Sequence, residues 1–326
     1  MKAVLCKEFG PPDSLVYEDV ASPTPKAGEA VVSVKAASVN FPDVLIIENK
    51  YQLKPPLPFS PGSDLAGIVK EIGDGVTNVK PGDRVFAITG YGAFAEEVAV
   101  DAKRLVPIPT GMDFATAAAF ALTYATSDHA LRDRGSLKAG ETLLVLGASG
   151  GVGLAAIEIG KIVGARVIAC ASSQEKLDVC RAHGADDGIN YAEADFRERI
   201  KELTGGKGPD VIFDPVGGAY TEPALRSIAW RGRLLVVGFA AGDIPKIPLN
   251  LTLLKGCAIV GVFWGDFARR EPARFADSIR QLGAWYAEGR LKPHISRTFR
   301  LAEAADALKL MAARRVTGKV VLTSAS

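Results

Sequence analysis

At 326 residues, with 48% hydrophobic and 23% charged content, the chain has the makeup of an ordinary globular protein long enough for about two domains. Its 39 basic and 37 acidic residues leave a net charge of +2, which argues against nucleic acid or an anionic membrane as the main partner. No apolar run reaches bilayer-spanning length, the N-terminus lacks a signal-peptide pattern, and Cys6, Cys170, Cys180 and Cys257 have neither C-x-x-C nor Cys/His spacing, so reduced thiols and a cytoplasmic location are the expectation.

Residues 1–121 read as one domain of short strands. Runs such as Ala30–Ala37 and Ala66–Gly73 are punctuated by turn signals at Pro11-Pro12, Pro61-Gly62, Pro81-Gly82-Asp83 and Gly90-Tyr91-Gly92. This spacing predicts an all-β, barrel-like domain. From Met112 to Ala121 the sequence turns alanine-rich and helical, and Thr123–Leu131 continues as helix, marking the crossover into a second domain over 122–262. There the predicted strands are Thr142–Leu146, Arg166–Ala171, Asp187–Asn190, Asp210–Asp214, Arg233–Gly238 and Ala258–Val262, with helices at Leu154–Val163, Asp195–Leu203 and Thr221–Ile228. Such alternation makes an α/β fold, a doubly wound parallel sheet with right-handed crossovers. The tail over 263–326 predicts helix Arg274–Glu288, a short extended stretch, helix Ala302–Ala313 and a last strand Lys319–Thr323, returning to complete the first domain.

The most informative stretch joins the first two strands of the sheet. Gly147-Ala148-Ser149-Gly150-Gly151-Val152-Gly153 stands between a buried strand and a helix, the context in which a glycine cluster binds a dinucleotide. Without a Cβ, Gly150 is expected to adopt strained dihedrals and let a pyrophosphate approach the backbone. Ser149, Gly150, Gly151 and Val152 offer N–H groups at the helix tip, and Gly153 lets the helix pack close to the strand. After the second strand an NAD site wants an acidic residue on the ribose hydroxyls. This chain has Ala171-Ser172-Ser173-Gln174-Glu175-Lys176 instead. Small hydroxyls leave room for a 2′-phosphate, and Lys176 can reach back as its cation, so NADPH is the expected cofactor. The same residues suit a serine N-cap with Lys176 on a solvated face, and the two readings are compatible.

A set of motifs in order carries a wider likeness: Ser38-Val39-Asn40-Phe41-Pro42-Asp43, Pro61-Gly62-Ser63-Asp64-Leu65-Ala66-Gly67, Leu122-Thr123-Tyr124-Ala125-Thr126, the glycine turn, Asn190-Tyr191, Phe213-Asp214-Pro215-Val216-Gly217-Gly218 and Gly318-Lys319-Val320-Val321-Leu322. Over nearly its full length the chain resembles the zinc-independent quinone oxidoreductases of the medium-chain dehydrogenase/reductase superfamily. The resemblance implies a GroES-like domain, a Rossmann domain, NADPH, and a homodimer paired through the last Rossmann strand. Zinc-dependent relatives carry a Cys at the position of Asn40, a His-Glu pair at that of Ser63-Asp64, and a cysteine-rich lobe. None of these is present, and His129, His183 and His294 are scattered. Zinc needs roughly three or four converging N, S or O ligands, so no metal is expected.

Hydride transfer without a Lewis acid suits an acceptor that is already electrophilic, a quinone or an α,β-unsaturated carbonyl. By resemblance, Asn40, Asp43 and Thr123 lie near the nicotinamide or the substrate. Asn40 can instead cap the loop before Phe41-Pro42, and Asp43 the helical turn that follows. Tyr51 is a candidate proton donor or lid residue, or packs in its Pro-rich loop. Lys176 and Tyr191 resemble the family's 2′-phosphate contacts, with Tyr191 as a core-edge tyrosine the alternative. The backbone of Val216, Gly217, Gly238, Phe239 and Ala240, at strand ends, is expected to line the nicotinamide ribose. Phe263 and Trp264 either wall the nicotinamide pocket or pack a dimer or hinge contact. Arg314 either returns to the cofactor phosphates or matches a helix dipole. An enoyl-thioester reductase, with Lys54, Arg269 and Arg270 as its basic rim, and a crystallin-like NADPH-binding protein without catalysis are the alternatives in function.

Overall fold

Valine-rich runs of the N-terminal third form strands, as seen in a computed structural model that describes residues 1–193 and 195–324. Its contacts divide the chain into two units, Met1–Leu122 with the segment from Ile295 onward, and Thr123–His294. The first unit begins with an antiparallel pair, β1 (Lys2–Leu5) and β2 (Val16–Asp19). Then come β3 (Glu29–Val39), the short helix α1 (Phe41–Ile47), β4 (Asp64–Ile72), β5 (Arg84–Ile88), β6 (Glu97–Asp101) and β7 (Val106–Pro107). The long strand β3 is the hub. Register shifts at Val31/Val32 and Val34/Ala36 bend it along its pairing with β4. A bulge bends a strand and increases its local twist. Along its other edge, Glu29–Ser33 pairs with β6. Val4, Val32, Val34, Val39, Leu65, Val85 and Phe94 fill the core of this unit.

Helix α2 (Phe114–Asp128) carries the division between the units within it, and a π-helical segment, His129–Arg134, follows. The second unit is built on six parallel strands, β8 (Thr142–Val145), β9 (Arg166–Ala171), β10 (Asp187–Asn190), β11 (Val211–Asp214), β12 (Arg233–Val236) and β13 (Ala258–Gly261). Their order, β10-β9-β8-β11-β12-β13, reverses direction between β8 and β11, the doubly wound arrangement expected. Leu143–Leu146, Val167–Cys170, Ile212, Phe213, Leu234 and Leu235 are buried, so the strands read as near-continuous apolar runs. Helices α3 (Gly151–Val163), α4 (Gln174–Ala182), α5 (Phe196–Leu203), α6 (Thr221–Arg226) and α7 (Asn250–Lys255) connect them, and α8 (Trp264–Arg270) and α9 (Pro272–Ala287) follow the last strand. Cys170 and Cys180 are buried thiols whose pKa burial raises, that of Cys180 to about 12, which leaves them protonated and inert.

The predicted return divides. Residues 263–294 group with the parallel sheet, and only the segment from Ile295 joins the first unit. That segment comprises β14 (Ile295–Arg300), α10 (Ala304–Ala312) and β15 (Lys319–Thr323). Strand β15 pairs antiparallel with the last four positions of β3, Ala36 to Val39, and parallel with β14. The finished sheet runs β14-β15-β3-β4-β5-β7, with β6 on β3.

Candidate functional site

The glycine turn follows β8 directly. Leu146 N–H donates to the Phe213 carbonyl at 3.0 Å, and Ala148 N–H to the Cys170 carbonyl at 3.0 Å, so the turn is tied to both neighbouring strands. The left-handed residue is Gly147, at φ +57°, and a Cβ there would stand 2.7 Å from Val216 Cγ2. Gly150, expected to be strained, is not: its φ of −76° and ψ of 169° suit any residue, because it serves as the N-cap of α3. A Cβ on Gly150 would meet nothing of the chain closer than the Gly147 carbonyl oxygen, at 3.4 Å. Sterically the chain does not require glycine at 150; glycine suits an N-cap better than alanine, and its flank is open to an outside group. Gly153 is different, since a Cβ there would lie 2.5 Å from the Gly147 oxygen and 2.6 Å from the Ala148 oxygen. The helix thus presses on the turn's own carbonyls, not on the strand as expected. The first turn of α3 has no acidic residue and no side-chain cap. Its N–H groups, Gly151 and Val152 among them, have no partner within the helix and carry the positive end of its dipole. A helix tip of this kind can receive an anion.

One strand over, Ser173 caps α4 by accepting the Lys176 N–H at 3.4 Å, while the Lys176 ammonium donates to Ser172 Oγ at 3.1 Å. The serine N-cap reading holds in this geometry, and the Lys176 ammonium stands on the serine end of the strand. Tyr191 N–H donates to the Ala171 carbonyl at 3.1 Å, placing it beside the same strand end. Its ring lies 4.3 Å from that of Tyr220 and edge-on to Phe196, the half-buried packing of a core-edge tyrosine.

At the ends of β11 and β12, Asp214 organises the backbone. Its Oδ1 accepts the N–H groups of Val216 (2.9 Å) and Gly217 (2.8 Å), and its Oδ2 accepts Thr221 Oγ1 (2.6 Å). Gly238 N–H reaches the Asp214 carbonyl and Ala240 N–H the Pro215 carbonyl, lacing the two loops together. The amides of Val216, Gly217, Gly238 and Ala240 are thus spent on holding the loops, a role the sequence did not reveal. Thr123 is buried in α2. Trp264 is buried and meets Phe275 of α9 edge-on at 5.6 Å, whereas Phe263 is 62% exposed.

In the first unit Asn40 and Asp43 form a buried polar network with Ser38, Ser63, Asp64 and Lys319. Asp43 Oδ2 accepts the Asn40 N–H at 2.7 Å, an N-terminal clasp on α1, and its Oδ1 accepts Ser63 Oγ at 2.7 Å. Asn40 Nδ2 donates to Asp64 Oδ1 at 2.6 Å, and the Lys319 ammonium donates to Asn40 Oδ1 and, at 3.2 Å, to the Val39 carbonyl. Asp64 Oδ2 is buried without a hydrogen-bond partner among the described residues. Tyr51 packs half-buried on the core of this unit, its pKa raised by burial and by the charge of Asp43. Arg314 lies at an exposed turn after α10 with φ +55°. Among the described residues no three His, Cys, Asp or Glu side chains converge as a metal site would need. Lys319 is a member of this network that sequence reasoning did not name as a candidate. Its sequence signals are its place in the closing motif Gly318-Lys319-Val320-Val321-Leu322 and a cation opening an otherwise apolar strand.

Burial raises the pKa of Asp43 to about 7, against the opposing effect of its hydrogen bond from Ser63. The folded chain then keeps a proton that the unfolded chain sheds, so stability falls as pH rises from about 4 to about 7 and levels off above. The slope from this one group reaches at most about 1.4 kcal/mol per pH unit. Urea unfolding at pH 5.0 and 7.5 should show this loss in the wild type and a clearly smaller one in Asp43→Asn. An equal loss in both would mean that Asp43 does not carry the proton.

Two family models match the chain. "Alcohol dehydrogenase GroES-like domain" covers residues 26–110, and "Zinc-binding dehydrogenase" covers residues 151–282. A quinone oxidoreductase-like protein 2 homolog of Nematostella vectensis is 39% identical over 99% of this chain and 89% of its own. Human quinone oxidoreductase is 34% identical over 99% of this chain and 97% of its own. Among solved structures, the Escherichia coli quinone oxidoreductase complexed with NADPH superposes with a TM-score of 0.92 at 29% identity, covering 99% of this chain and 100% of that one.

Proposed function

The chain belongs to the zinc-independent quinone oxidoreductase family of the medium-chain dehydrogenase/reductase superfamily, and from that premise we propose that it is an NADPH-dependent reductase of quinones or α,β-unsaturated carbonyls. The observation that carries this reading is the Lys176–Ser172 pair at the end of β9, tied through the Ala148 N–H to a helix tip where Gly150 has an open flank. The N–H groups of Gly151 and Val152, beside Ser149, would take the pyrophosphate, and Lys176 with Ser172 and Ser173 the 2′-phosphate, Tyr191 alongside. The loops laced by Asp214, with Phe239 between them, would border the ribose. NADPH bound there supplies a hydride from C4 of its nicotinamide. The Asn40 network offers amide, hydroxyl, carboxyl and ammonium groups but neither thiolate nor imidazole, so the oxygen of the acceptor is met by hydrogen bonds. Quinones and enones are electrophilic enough to need no more. Asn40 donates to that oxygen, and Tyr51 is the side chain proposed to return a proton.

Steady-state assays test this. NADPH oxidation by 1,4-benzoquinone or 9,10-phenanthrenequinone should depend on the protein and saturate. Binding of NADPH with no turnover across quinones, enones and enoyl-CoA would count against it.

A homodimer belongs to the same proposal. Strand β13 is one of the two outer strands of its sheet, and Leu249 (76% exposed), Leu253 (80%) and Leu254 (66%) stand on the loop and helix before it. A two-fold axis would pair β13 antiparallel with its copy and cover these side chains. Light scattering should give twice the chain mass for the wild type and a monomer for Leu253→Arg. A monomeric wild type would refute the pairing.

A further inference from the structure

Lys319 is almost wholly buried, which is rare for a lysine and costly unless its charge is used. Sheet topology puts it where it is. Strand β15 opens with Lys319 alongside the end of β3, Val320 standing opposite Val39, and β4 opens with Asp64 opposite Ser38. Three adjacent strand ends thus meet at Asn40. The ammonium donates to Asn40 Oδ1, while Asn40 Nδ2 donates to Asp64 Oδ1 at 2.6 Å. A side-chain amide can in general be turned over with little change of shape. Here the reversed orientation would set an NH₂ against an ammonium and a carbonyl against a carboxylate. Only one orientation is left, and its second amide hydrogen has only long contacts, 3.3 Å to Ser38 Oγ and 3.4 Å to the Ser38 carbonyl. A cation on the amide oxygen also draws electron density from the nitrogen and makes its N–H a stronger donor.

We infer that Lys319 is a positioning residue for the reduction: it fixes and polarises the Asn40 amide so that an N–H is presented to the oxygen of the acceptor. This rests on the proposed role of Asn40. The titratable groups facing Lys319 are Asp64 of β4 and Asp43 of α1, which when ionised favour its protonated form against burial.

The test uses Lys319→Met, Lys319→Arg, Asn40→Ala and the double variant Lys319→Met/Asn40→Ala, read by quinone-reductase kinetics. Lys319→Met should lower kcat about tenfold or more while the KM for NADPH stays within about twofold, and Lys319→Arg should recover most of the loss. The double variant should be no worse than Asn40→Ala, because both changes remove one function. In the protein without cofactor, the Asn40 side-chain amide protons should exchange with solvent faster in Lys319→Met than in the wild type or Lys319→Arg. Lys319→Gln takes the place of Lys319→Met should that variant not fold. Wild-type kcat in a folded neutral variant, or losses that multiply in the double variant, would overturn the inference. An inactive wild type, or an unimpaired Asn40→Ala, would instead bring down the reading on which it rests.

Discussion

Replacing Gly150 by alanine is expected to leave the fold standing and to weaken NADPH binding at least about tenfold, a loss of about 1.4 kcal/mol. The fold stands because Gly150 has ordinary dihedrals and its added methyl would meet only the Gly147 oxygen, at 3.4 Å. An alanine N-cap costs about 1 kcal/mol, a few degrees in melting temperature. Binding suffers because the methyl fills the flank by which the pyrophosphate would reach the helix tip. Gly153→Ala makes the contrast. Its methyl would lie 2.5 and 2.6 Å from two backbone oxygens. The helix gains about 1 kcal/mol in propensity from alanine. Overpacking of about 1–3 kcal/mol, here against backbone that cannot step aside, outweighs that gain. Gly153→Ala should therefore lose stability and binding together. Calorimetric melting with NADPH titration separates the two variants, and wild-type affinity in Gly150→Ala would contradict an approach of the pyrophosphate by that flank.

Lys176→Ala is expected to raise the KM for NADPH by about 10–100-fold and to change that for NADH less than about twofold. A hydrogen bond to a charged group contributes about 1.5–3 kcal/mol, which sets this range. The ammonium already points along the serine end of β9, on Ser172 Oγ at 3.1 Å, so a 2′-phosphate there would be met by a cation held in place and by the cap of α4. Surface lysines usually contribute little, but a doubly charged phosphate without this partner would face Glu175 in the same helical turn. Parallel losses with both cofactors would show that Lys176 serves the helix alone.

Much of this was legible in the sequence because it is local. The strand–glycine–helix stretch and the serine-lysine stretch lie within the units they organise, and periodicity located all six parallel strands, with ends that differ by a few residues. Helix α3 starts at Gly151, earlier than the Leu154 predicted, because the turn itself supplies its cap. What was hidden depends on distant pairing. Lys319 and Asn40 are 279 residues apart in the chain, and only the β15–β3 register brings them together. Which glycine carries the left-handed dihedral was hidden too, since Gly147 and Gly150 are alike in composition and differ only in where Val216 and the helix cap lie. Asp214 could not be recognised as the acceptor for Val216 and Gly217 before the loops were folded.

A helix tip with a bare glycine, beside a serine-lysine strand end, is proposed to hold a 2′-phosphorylated dinucleotide. Calorimetric titration of the wild-type protein with NADPH and with NADH measures this directly. One site per chain is expected for NADPH, at least about tenfold tighter than for NADH. Equal affinities, or no heat of binding from either nucleotide, would contradict it.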